Sequence, residues 1–146
     1  MKKLSIQVNL LAWAFLAIGA ITLVACSAEP PENSKIAQAR RGKVFFDEHC
    51  VTCHGESAKG DGPESQNLDI KVADLTTIQK RRGLKEFPIV EIASIIDGRN
   101  QLKAHGPREM PTWGKYFADE EHLTNDEIRG KMGELIAYLM QIQTSD

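Results

Sequence analysis

The sequence predicts an all-α fold, and three observations carry the prediction. Residues 35–49 place apolar side chains at spacings of three and four, the period of a helix with one buried face. Residues 125–142 do the same behind a strong helix-start signal. Between them, stretches rich in glycine and proline leave room for a further good helix at 86–97. The 146 residues allow one modest domain, which we assign to 35–146.

Residues 1–25 stand apart from that domain. Lys2 and Lys3 give a positive start, and residues 4–24 are almost uncharged and rich in Leu, Ala, Ile and Val, as in an export signal. A retained transmembrane anchor is the competing reading, since the run approaches spanning length. Its end, Leu23-Val24-Ala25-Cys26, resembles the lipobox of bacterial lipoprotein precursors. That resemblance implies cleavage before Cys26 and acylation of this cysteine, with more than one chain for stable attachment. Residues 26–34 then form the lipidated N-terminus and a polar tether broken by Pro30 and Pro31.

The first helix, 35–49, shows Ile36, Ala39, Gly42 or Lys43, and Phe46 on one face, with Val44 and Phe45 widening the apolar surface. Glycine inside a helix costs roughly 1 kcal/mol relative to alanine. A close helix crossing at Gly42 would explain it, and a tolerated surface position is the bland alternative.

The helix runs into Cys50-Val51-Thr52-Cys53-His54, a C-x-x-C-H pattern. Two thiols at this spacing can add to the two vinyl groups of one haem, and the adjoining imidazole reaches the iron from the same turn. A redox dithiol or half of a zinc site needs no adjoining histidine, and no second CxxC supplies the remaining zinc ligands. Three glycines and a proline follow in residues 55–63, suiting a chain folded closely around something. The carbonyl of Pro63 is a candidate acceptor for the second ring nitrogen of His54, a bond that would fix the tautomer.

Residues 64–82 read as a packed loop around Val72-Ala73-Asp74-Leu75, with a short helix after Thr76 or Thr77. Lys80, Arg81, Arg82 and Lys85 cluster there, as a solvated face, a partner for a haem propionate or a steering patch for an acidic protein. The helix at 86–97 has Pro88 in its first turn, Ile89, Ile92 and Ile96 on one face, and Gly98 as terminator. Residues 100–114 are irregular. Met110 in this polar, proline-bounded loop can offer a thioether to the haem face opposite His54, with His105 as rival. Trp113 can shield the haem edge. Met132 and Met140 belong to the last helix, and His49 and His122 read as surface groups.

That last helix starts with Thr124 and Glu127 as a capping box, and Ile128, Met132, Leu135, Leu139 and Ile142 make its stripe. Gly130 and Gly133 weaken its propensity, so packing must hold it. Tyr138 is placed to lie against the first helix near Gly42 and Phe46.

With Cys26 on lipid and Cys50 and Cys53 on haem, no thiol is left for a disulfide. The formal charge of −2 becomes −4 without Lys2 and Lys3, which gives no support to a nucleic-acid role.

Taken together, these residues resemble the bacterial class I cytochromes c, in a lipoprotein-anchored form. The resemblance rests on Gly42 and Phe46 in the first helix, Cys50, Cys53 and His54, Pro63, the run Met110-Pro111-Thr112-Trp113-Gly114, and Tyr138-Leu139. It implies a compact all-α fold wrapped around one covalent haem c, with His54 and Met110 as axial ligands. It implies a one-electron carrier and not an enzyme, working between membrane-associated redox partner proteins on the periplasm-facing side of the cell envelope. The electron-entry subunit of a larger respiratory complex is the alternative role. A gas-binding or peroxidatic haem protein would need Met110 off the iron. The stretch 71–105 is longer than in the smallest members.

Overall fold

The computed structural model describes residues 29–98 and 110–144. The chain divides into the units Met1–Pro31 and Glu32–Asp146, and the architecture below is that of the second. The expected leader at 1–25, Cys26 and the rival ligand His105 lie outside the described residues.

Every regular element among the described residues is helical. Helix α1, Lys35–His49, starts where the Ser34 hydroxyl accepts from the Ala37 N–H at 3.1 Å. It buries Ala37, Ala39, Gly42, Phe45 and Phe46. Ile36 and Val44 are more than half exposed, against the sequence expectation. They lie six and two residues from Gly42, spacings that turn a side chain away from the seam centred there.

A short turn of helix, α2 at Val51–His54, follows α1 directly. After it come a 3-10 turn at Pro63–Asn67, a second at Leu75–Thr77, and α3 at Ile78–Arg82. Arg82 at the end of α3 ion-pairs with Glu91, and Arg81 donates to the carbonyl of Asp74 at 2.9 Å, so both arginines of the basic cluster are engaged locally. Helix α4, Ile89–Asp97, has Pro88 as its N-cap and not within its first turn. It buries Ile92 and Ile96 and ends on Gly98 at φ +93°.

Helix α5, Trp113–Asp119, begins inside the stretch read as irregular and buries Trp113 and Phe117. Gly114 in its first turn leaves room for α4: a Cβ there would meet the Asp97 carboxylate at 1.9 Å. Helix α6, Asn125–Gln141, opens with the expected capping box between Thr124 and Glu127. It buries Leu135, Ile136, Tyr138 and Leu139, while Ile128, Met132 and Ile142 pack half-buried against the core.

The principal packing is α1 against α6. A Cβ on Gly42 would fall 1.9 Å from the Glu134 carbonyl oxygen, so the glycine sits at a crossing of two backbones. One turn on, the rings of Phe46 and Tyr138 meet with centroids 5.2 Å apart. Arg41 staples the same crossing, donating from Nε to the Glu134 carboxylate at 2.5 Å. Among the described residues, Phe46, Phe117 and Ile78 are the largest fully buried side chains, one each from α1, α5 and α3.

Candidate haem-attachment site

The end of α1 sets the geometry of the CxxCH turn. The Cys50 N–H donates to the Phe46 carbonyl at 2.8 Å, and the Cys50 carbonyl accepts from Cys53 at 3.2 Å and from His54 at 2.8 Å. Positions i, i+3 and i+4 of one helical turn share a face. Cys50, Cys53 and His54 therefore present two thiols and an imidazole together. Both thiols are free and half-buried. Burial, with the neighbouring Cys53 adding to it, pushes the Cys50 thiol up to about 12.

His54 is governed by a different residue from the one its sequence neighbourhood suggests. Its Nδ1 lies 3.4 Å from the carbonyl oxygen of Ala73. The partner expected at Pro63 is thus Ala73: Pro63 opens a 3-10 turn, whose carbonyls bond three residues ahead within the turn. A carbonyl only accepts, so the contact is a hydrogen bond in the tautomer with the hydrogen on Nδ1, the one that leaves Nε2 its lone pair. Burial holds the imidazole below its ordinary pKa, with the Ala73 bond acting the other way, so the neutral form needed of a ligand is favoured.

The glycine-rich loop doubles back on this turn. Gly60 N–H donates to the His54 carbonyl at 2.8 Å and Gly62 N–H to the Cys53 carbonyl at 3.2 Å. A Cβ on Gly62 would stand 2.5 Å from the carbonyl oxygens of Val51 and Thr52, so no side chain fits. Ala58, fully buried at φ +56°, accepts from the Leu75 N–H at 2.8 Å and ties this loop to the segment bearing Ala73.

Met110 is half-buried against the core, three residues before Trp113. The Trp113 indole lies in an aromatic cluster with Phe45, His49, Tyr116 and Phe117, at centroid separations of 5.9, 5.3, 5.4 and 6.2 Å. His49, expected at the surface, is drawn into that cluster, 4.7 Å from Phe45, with carboxylates of Glu48 and Glu121 at 3.8 and 3.9 Å. His122 is exposed, as expected.

A helical shell that gathers two unpaired thiols and an imidazole on a single turn carries the donor set of a c-type haem protein. The chain belongs to the cytochrome c family: the family described as Cytochrome c matches residues 39–143. Comparison with curated proteins and with solved structures gives no match. The donor set fits haem c, held covalently through Cys50 and Cys53, and membership of the family supports electron transfer between redox partners and not catalysis.

Proposed function

We propose that this protein is a monohaem class I electron carrier with His54 and Met110 as axial ligands, tethered to a membrane of the cell envelope through acylated Cys26. The observation that supports His54 as a ligand is the Ala73 carbonyl 3.4 Å from its Nδ1, since an acceptor there leaves Nε2 to donate to a metal. When bound, haem c supplies the one-electron Fe(III)/Fe(II) couple. The chain's own residues do the rest. Cys50 and Cys53 fasten the group, His54 holds a fixed tautomer, and the aromatic cluster around Trp113 anchors the end of the loop that delivers the Met110 thioether. His54 and Met110, kept as ligands in both oxidation states, would keep rearrangement per transfer small and would leave no position open to a substrate. A tether confines the carrier near membrane-bound partners and raises their effective concentration.

Met110→Ala tests the ligand set. The parent ferric protein should show the weak far-red sulfur-to-iron band, and the variant should lose it and fall in reduction potential. A band that survives Met110→Ala contradicts the assignment, and loss of the low-spin spectrum in His105→Ala instead would move the sixth ligand to His105. Mass spectrometry of the mature N-terminus should find Cys26 as the first residue and carrying acyl chains; a chain that keeps residues 1–25, or an unacylated Cys26, contradicts the acyl anchor.

A further inference from the structure

The segment that carries the Ala73 carbonyl is held from the far end of the chain. Gln143, two residues beyond α6, donates from Nε2 to the Leu75 carbonyl at 2.7 Å and to the Leu139 carbonyl at 2.8 Å. Its Oε1 accepts from the Gln79 N–H at 3.2 Å. Thr144 adds its N–H and hydroxyl to the Thr76 carbonyl, at 2.9 and 3.2 Å. One half-buried amide thereby joins the end of α6, the Leu75–Thr77 turn and the first turn of α3, using donor and acceptor at once.

The same helix fixes the other partner. In its middle, α6 crosses α1 at Gly42 and Glu134, and α1 leads without interruption into Cys50 and His54. One rigid element therefore sets where His54 stands and, through Gln143, where the carbonyl facing it stands. The bond between them, at 3.4 Å, is at the long end of the useful range, so a small drift of Ala73 would forfeit it.

We propose that Gln143 is a positioning residue for the iron ligand, acting through Leu75 and Ala73 on the Nδ1–H of His54 and so on the strength with which this imidazole donates to iron. This rests on the reading of His54 as ligand. A ring that loses its acceptor donates less to ferric iron, and the ferrous state gains by comparison.

The test uses the haem-loaded protein and the variants Gln143→Leu and Gln143→Glu, with Met140→Ala, an exposed change on the last turn of α6, as control. Hydrogen exchange of the His54 Nδ1–H in the ferrous protein is followed by NMR, beside the reduction potential and the thermal midpoint. We expect exchange faster by about tenfold, the order of one lost hydrogen bond, and a raised potential in both Gln143 variants, with neither change in Met140→Ala. Parent-like exchange and potential in the Gln143 variants, whatever their thermal midpoints, would overturn the proposal. If Gln143→Leu does not fold, Gln143→Glu, which keeps an acceptor for Gln79, decides by the same readouts. Failure of the ligand reading itself is seen separately, as a His54→Ala protein that retains the parent's low-spin spectrum.

Discussion

The carbonyl oxygen of Glu134 occupies the space that a side chain on Gly42 would need: a Cβ there would lie 1.9 Å from it. Gly42→Ala must push α1 and α6 apart, and we expect a cost of about 1–3 kcal/mol, the usual range for overpacking. Gly130 and Gly133, elsewhere on α6, face open space. Their replacement by alanine should stabilise by about 0.5–1 kcal/mol each from helix propensity. Denaturant unfolding of the three variants checks both signs.

Phe46 is 1 % exposed and faces Tyr138 at 5.2 Å. Phe46→Ala should lose about 3–5 kcal/mol, the transfer and cavity cost of a buried aromatic. Tyr138→Phe keeps the ring contact and should cost no more than about 1.5 kcal/mol. Equal losses in unfolding experiments would mean that the hydroxyl, and not the ring pair, holds the crossing.

Much of this framework is legible in sequence because it is local. The capping box at Thr124 and Glu127, the stripe on α6 and the C-x-x-C-H turn are each written within a few residues. Helix α5 was hidden because Pro111 and Gly114 look like loop punctuation; the signal for it is Trp113 and Phe117 at helical spacing behind a proline. Ala73 as the acceptor for His54 could not be read at all. It depends on how far residues 55–72 travel before returning, and a backbone carbonyl has no sequence signature. Gln143 is silent for the same reason, since its partners Leu75 and Gln79 lie more than sixty positions away.

The Asp74 carboxylate should give the turn beside Ala73 a pH dependence. It accepts from the Thr76 hydroxyl at 2.6 Å and N–H at 2.8 Å, and the hydroxyl bond foremost holds its pKa below the ordinary 3.8. A carboxylate depressed in the folded state stabilises above its unfolded pKa, and that contribution is lost as pH falls through the folded value. Asp74→Ala should therefore cost about 1 kcal/mol near neutrality, and the gap to the parent should close below pH ~3.9. Thermal midpoints of the pair across pH 2–7 (roughly the span of for carboxylates) check it; a gap that widens in acid contradicts the assignment.

Trp113 lies among Phe45, His49, Tyr116 and Phe117 at the start of α5, three residues after Met110. Trp113→Ala should cost about 3–5 kcal/mol. If this cluster anchors the ligand loop, the far-red band should also melt at a lower temperature than the helical signal. Bands and helices that melt together in the variant would remove that anchoring role.

The central claim is that Cys50 and Cys53 both hold one haem. The direct measurement is the mass and alkaline pyridine spectrum of the exported, denatured protein after acidified-acetone extraction. We predict a mass increment of one haem retained on the chain, located on a peptide containing Cys50 and Cys53, with the spectrum of two saturated thioether links. A chain freed of porphyrin by extraction, with both thiols open to alkylation, would contradict it.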